Sequence, residues 1–336
     1  MNPVGGARSG PAVIDDAMSE KVILAGGSGF LGTALAESLA AKGVEVIILS
    51  RNPSPRQGPA RQVAWDGRSL GPWAEHFNGA SAVVNLTGRS VNCRHTPENV
   101  REINDSRVDS VRVVAEAIRR CAQPPAVFVQ ASGQSIYGER GEQWCEESEP
   151  PGEGFLADTS RKWEGAFEQS PSPSTRRVLL RIGFVLSAGG GALPKLASLA
   201  KWGLGGQAGS GRQYISWIHL ADMVRVFLLA IEHAEAKGVF NACAPNPVTN
   251  ADFMRELRRA LHRPWSPPVP EWAVRLGALL MGTDPRLALS GCRCSPRRLL
   301  EHGFTFGFTN VRAALGDIYR RPSDSRSAPI SLRIAE

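Results

Sequence analysis

The stretch from Lys21 to Thr33 constrains the fold more than any other. Val22, Ile23, Leu24 and Ala25 make a short apolar run, and Gly26, Gly29 and Gly32 follow in a G-x-x-G-x-x-G pattern. The segment Gly27, Ser28, Gly29, Phe30, Leu31, Gly32 also satisfies the tighter G-x-G-x-x-G form. A helical apolar pattern opens at once through Leu31, Ala34, Leu35 and Leu39 and stops at Lys42 and Gly43. Strand, glycine turn and helix in that order are the context of a dinucleotide site. One glycine permits a sharp turn at positive φ, another lets a diphosphate reach the main chain, and the last lets helix and strand pack closely. The helix start then presents free N–H groups and a positive dipole end to phosphate.

The run Val44 to Ser50 reads as the second strand of a βαβ unit, with a right-handed crossover. Its tip bears on the cofactor. A carboxylate there would accept hydrogen bonds from the adenosine ribose. This chain has Ser50 and Arg51 instead. A guanidinium suits bidentate contact with a 2′-phosphate, so the tip favours NADP over NAD, unless Arg51 only stacks on adenine or faces solvent.

Further strands are expected at 62–65, 82–88, 126–132, 176–186 and 238–243, alternating with helices near 98–121, 155–169, 195–202 and 221–234. That alternation predicts an α/β fold, a Rossmann-type doubly wound parallel sheet with a smaller, mainly helical C-terminal substrate domain. Residues 20–245 are expected to form the NAD(P)-binding domain, with 187–212 contributing to the substrate cleft. Residues 246–320 are expected to form the C-terminal domain, with helices only from Pro264 onwards. Residues 1–19 read as a disordered extension, in which Met18 would make a natural start, and 321–336 as a disordered tail. Ligands of such sheets lie beyond the carboxyl ends of the strands. That rule places Leu86, Thr87 and Gly88 beside the cofactor, and puts Ser132 and Tyr137 where chemistry is expected.

Composition excludes more than it selects. The 336 residues are 42% hydrophobic and 21% charged, ordinary for a soluble globular protein. No apolar run approaches the roughly 20 residues that span a bilayer, and no signal peptide is readable. Six scattered cysteines and six histidines lack ligand spacing, so reduced thiols in the cytoplasm and no metal are expected. The net charge of +7 comes without an aromatic-interleaved basic run, so no nucleic-acid partner is expected. The expected partner is a small-molecule substrate, the protein being a monomer or homodimer. His219, inside an apolar run, reads as a hydrogen-bonded packing residue.

Taken together, the glycine turn, Asn85 to Gly88, Ser132 with Tyr137 and Gly138, Arg181 to Gly183, and Trp217 to Asp222 resemble an atypical extended short-chain dehydrogenase/reductase. Ser106 to Val108, Trp163 with Glu164, Ala244 to Asn250, Pro296 to Leu300 and Gly303 to Phe306 narrow the likeness to epimerase-family proteins with a small group-specific C-terminal domain. The resemblance implies a Rossmann domain that binds NADP. The wider superfamily uses a Tyr-x-x-x-Lys pair, in which the ammonium brings a phenol with an ordinary pKa near 10 towards neutrality. Residues four beyond Tyr137, Tyr214 and Tyr319 are Gly141, Ile218 and Ser323, so the pair is absent. Two readings stay open. In one, the chain is an NADP(H)-dependent oxidoreductase or epimerase acting on a small carbonyl or sugar-like substrate, with Tyr137 as acid–base group aided by Ser132 and Lys162. In the other, it is a non-catalytic NADP-binding sensor, with Tyr137 wedged as a loop residue.

Overall fold

In the computed structural model, the described residues are 20–54, 58, 60–170 and 173–320. The expected extension at 1–19 and tail at 321–336 lie outside them. The core is a seven-stranded parallel sheet: β1 (Lys21–Ala25), β2 (Glu45–Ser50), β3 (Arg61–Ala64), β4 (Ala82–Asn85), β5 (Val127–Gly133), β6 (Arg176–Ile182) and β7 (Gly238–Ala242). Its spatial order is β3-β2-β1-β4-β5-β6-β7, reversing direction at β1 and β4. That reversal is the switch point at which open α/β sheets bind ligands.

Both sheet faces are covered, which is why β1 reads as an unbroken apolar run rather than an alternating one. Val22 and Leu24 pack towards α1 (Phe30–Ala41) and α5 (Leu220–Glu232), while Ile23 and Ala25 join the opposite core with α2 (Pro97–Arg120) and α3 (Phe155–Glu168). Burying each such Val, Leu or Ile side chain contributes about 1.5–3 kcal/mol. Thr96 starts α2, its hydroxyl accepting from the Asn99 amide, with Pro97 at the first helical position. α4 is Leu193–Lys201.

The structure departs from the sequence reading in three places. The expected strand 176–186 breaks at Gly183, where a Cβ would lie 2.5 Å from the Ser216 carbonyl oxygen. Phe184–Leu186 therefore leaves the sheet and pairs with Trp217–His219. Beyond Pro264 the chain is not purely helical. After α6 (Asn250–Ala260) and α7 (Glu271–Leu280), Arg293–Cys294 pairs in parallel with Trp144–Cys145, before α8 (Val311–Ile318). The C-terminal segment also returns to the first core. Leu299, Phe304 and Phe306 pack into it, and Arg298 Nη1 donates to the Val239 carbonyl. No helix among the described residues is long and apolar enough to cross a membrane.

Candidate functional site

The parallel strands deliver their carboxyl ends to one rim, and the glycine turn floors it. Gly26 sits at φ +70°, and a Cβ there would come within 2.7 Å of Thr87 Oγ1. Gly32 packs the helix onto the turn, since a Cβ would lie 2.3 Å from the Gly27 carbonyl oxygen. Gly29 differs from both: a Cβ there would meet only the Gly26 carbonyl oxygen, at 3.7 Å. It begins α1 without a side-chain cap, and the amides of Phe30, Leu31 and Gly32 have no acceptor among the described residues. This open face with unpaired donors at a helix start can hold an anion such as a diphosphate. The three glycines divide the work of turn, approach and packing among them.

At the β2 tip, Ser50 donates its hydroxyl to Ser28 Oγ at 3.2 Å and accepts from the Asn52 amide. This ties the second strand to the turn. Arg51 follows, exposed and without an ion-pair partner among the described residues. Next to it in the sheet, β3 runs into Trp65 and Asp66. The Asp66 carboxylate accepts from the Ser69 and Arg68 amides, which hold it below the usual carboxylate range. Asp66 and Gly67 thus join the rim, although nothing in their spacing from the glycines marked them.

β4 ends in a buried polar clamp. Asn85 Nδ2 donates to Gln130 Oε1 at 3.0 Å and to Ser110 Oγ, and Asn85 Oδ1 accepts from the Thr87 amide. Leu86 is held by its amide on the Ala25 carbonyl. The clamp leaves Thr87 Oγ1 buried against the turn with no partner among the described residues, and Gly88 facing the Arg107 guanidinium. An orphaned hydroxyl beside unpaired amides fits a phosphate- or ribose-bearing ligand.

The β5 rim is organised differently. Ser132 is 4% exposed and donates to Glu164 Oε1 at 2.6 Å. Arg181 on β6 grips Glu164 through Nη2 at 2.8 Å and Nε at 3.1 Å, and its Nη1 donates to the Tyr137 hydroxyl at 2.9 Å. The Tyr137 hydroxyl donates in turn to Asn241 Oδ1 on β7 at 2.7 Å, and the residue is 0% exposed. Burial pushes the phenol pKa far above its ordinary value, against the opposing pull of Arg181. Both hydroxyls read from sequence as chemical groups are therefore consumed by a closed network. Lys162 lines a groove between α2 and α3, and Asp158 pairs with Arg161. At the rim itself stands a hydroxyl pair that sequence reasoning missed: Ser135 and Ser160, 3.0 Å apart, next to Gly133.

Loops close the region. Gly190 lies against the Phe30 ring, where a Cβ would approach within 2.4 Å, so the segment after β6 covers the start of α1. His219 caps α5 by accepting from the Ala221 amide, and its ring lies 4.0 Å from Phe308. Four thiols, Cys145, Cys243, Cys292 and Cys294, gather in one buried cluster. Among the described residues no group of three or more His, Cys, Asp or Glu side chains is placed to hold a metal ion.

Residues 22–158 match the model of the NAD dependent epimerase/dehydratase family, and 269–318 match a domain of unknown function, DUF1731. Mouse epimerase family protein SDR39U1 is 35% identical over 303 residues, covering 89% of this chain and 99% of the mouse protein. Epimerase family protein YfhF of Bacillus subtilis is 33% identical over 301 residues, covering 88% of this chain and 97% of its own. Among solved structures, human SDR39U1 (isoform 2) with NADPH superposes at a TM-score of 0.79 with 33% identity, covering 89% of this chain and 99% of the human one. A nucleoside-diphosphate sugar epimerase from Corynebacterium glutamicum superposes at 0.72 with 31% identity, covering 90% of this chain and 59% of that one.

Proposed function

The chain belongs to the epimerase family of NAD(P)-binding proteins, and from that premise we propose that it is an NADP(H)-dependent oxidoreductase or epimerase acting on a small carbonyl or sugar-like substrate. The observation that carries this reading is the open face at Gly29, with the free amides of Phe30, Leu31 and Gly32. These residues would hold the diphosphate, with Gly26, Gly27 and Ser28 shaping the turn and Leu86, Thr87 and Gly88 bordering the cofactor. Ser50 and Arg51 would receive the adenosine 2′-phosphate. The unpaired guanidinium of Arg51 supports NADP over NAD, as does the NADPH in the human relative's structure. When bound, the nicotinamide supplies or accepts a hydride.

The protein's own contribution at the β5 rim falls to the Ser135 and Ser160 hydroxyls, which are suited to orient a carbonyl oxygen by hydrogen bonding. Ser132 and Tyr137 act one layer further in, where they fix β5, β6, β7 and α3 relative to one another. A second reading, a cofactor-binding sensor without turnover, is favoured by the enclosure of Tyr137. Screening a carbonyl and sugar-nucleotide panel for NADPH oxidation separates the two. Turnover that survives Tyr137→Phe but falls in the Ser135→Ala, Ser160→Ala double variant supports the enzyme as described. Saturable NADPH binding with no turnover across the panel supports the sensor.

A further inference from the structure

Arg107 is a partly buried cation with no ion-pair partner among the described residues. It lies midway along α2, and burial pushes its pKa down to about 10. No carboxylate among the described residues lies within ion-pair distance of it, unlike the buried Arg181 of the same rim. Its Nη1 is used: it donates to the carbonyls of Arg89 and Ile103, both at 2.9 Å. The opposite edge, Nε and Nη2, has no hydrogen-bond partner among the described residues, and neither atom is sealed from the surface. Gly88 lies over the flat face of the guanidinium: a Cβ at position 88 would stand 3.1 Å from Cζ, 3.3 Å from Nη2 and 3.4 Å from Nε, stacked on the plane, so Gly88 leaves the Nε–Nη2 edge itself unused. The Trp163 ring backs the guanidinium at 4.9 Å and fixes its plane.

Other polar atoms on the neighbouring elements lack partners among the described residues. Thr87 Oγ1 precedes Gly88, Asn104 Oδ1 lies one helical turn before Arg107 on α2, and Thr159 Oγ1 lies one turn before Trp163 on α3. Leaving such buried groups unpaired is costly, and a polar ligand would recover that cost. From the unpaired fork and these orphaned atoms we infer that Arg107 is the anion subsite of the substrate pocket, receiving a carboxylate or phosphate of the substrate through Nε and Nη2. Side-on contact of two parallel N–H groups with two oxygens is the geometry a guanidinium provides and an ammonium does not. The inference rests on the proposed function above and narrows it: the small carbonyl or sugar-like substrate is an anion.

The test uses the full chain saturated with NADPH, titrated calorimetrically with inorganic phosphate, with pyruvate, and with pyruvate's neutral methyl ester. Wild type is expected to bind at least one of the two anions saturably and the ester at least about tenfold more weakly. Arg107→Met should weaken the anion by about tenfold or more while the NADPH dissociation constant stays within about twofold. If Arg107→Met does not fold, Arg107→Lys decides by the same reading, because it keeps the charge and loses the fork. Anion affinity unchanged in the folded variant, or no saturable anion binding to the wild type, overturns the assignment. A fall in NADPH affinity matching the fall in anion affinity assigns the subsite to the cofactor's own phosphates and overturns it equally. Repeating the anion titration without NADPH keeps the outcome separate from the cofactor reading, which fails on its own if NADPH does not bind.

Discussion

Two parts of the same rim contrast sharply. At the β1–α1 turn and the end of β4, polar groups are present and unspent: the Phe30, Leu31 and Gly32 amides, Thr87 Oγ1, and one edge of Arg107. A few strands away, at β5 to β7, Ser132, Glu164, Arg181, Tyr137 and Asn241 bind one another in a continuous chain. Both regions carry hydroxyls and charges past strand ends, the position where ligands are expected. What separates them is satisfaction of hydrogen bonds. A saturated network specifies structure, because any ligand would have to break it; an unsaturated one can receive a ligand.

The largest expected effect breaks the saturated side. Glu164→Gln leaves Arg181 buried without its counter-charge, at side-chain exposures of 6% and 8%. Removing one partner of such a pair costs about 3–5 kcal/mol, which urea unfolding will register, while the folded fraction keeps its NADPH affinity. Loss of NADPH binding without loss of stability would erase the contrast. Gly29→Ala probes the open side. Its φ of −81° suits alanine, and the stiffer unfolded chain offsets the poorer N-cap, so stability should move by under about 1 kcal/mol. The new methyl would occupy the approach of the diphosphate, and NADPH affinity should fall by about 10- to 100-fold in a fluorescence titration.

Smaller effects sharpen the boundary. Tyr137→Phe removes two hydrogen bonds and leaves Asn241 Oδ1 without its donor, for a loss of about 1–2 kcal/mol with cofactor affinity unchanged. The smallest effect is in pH. Burial lowers the His219 pKa from its ordinary 6.5, outweighing the attraction of Asp317 and Asp222. The unfolded chain therefore takes up this proton first, so the stabilisation present above pH 6.5 declines as the medium is acidified towards the folded-state value. The wild-type decline between about pH 7.5 and 5.5 should shrink by under about 1 kcal/mol in His219→Asn, measured by thermal melts at both pH values. An undiminished slope would remove His219 from the account.

The turn was legible in the sequence because its demands are local. Positive φ at Gly26 and contact at Gly32 are set by neighbours within a few residues, so residue type records them directly. The βαβ alternation was legible for the same reason, through hydrophobic runs and helical periodicity. The saturated network was not, because its partners come from distant parts of the chain: Tyr137 meets Asn241 across 104 residues. Nothing in the spacing of Ser132, Glu164 and Arg181 announced that they would bond to one another. A hydroxyl at a strand end looks the same in sequence whether it is spent or free. The same limit explains Arg293–Cys294, a two-residue strand whose partner lies at Trp144–Cys145.

The most direct measurement is a fluorescence titration of the purified full chain with NADPH and with NADH, repeated on Arg51→Asp. Saturable binding of both, tighter for NADPH in the wild type and reversed towards NADH in the variant, is the predicted result. If neither nucleotide binds saturably, the open turn holds no dinucleotide, and the distinction between a receptive and a saturated rim loses its functional meaning.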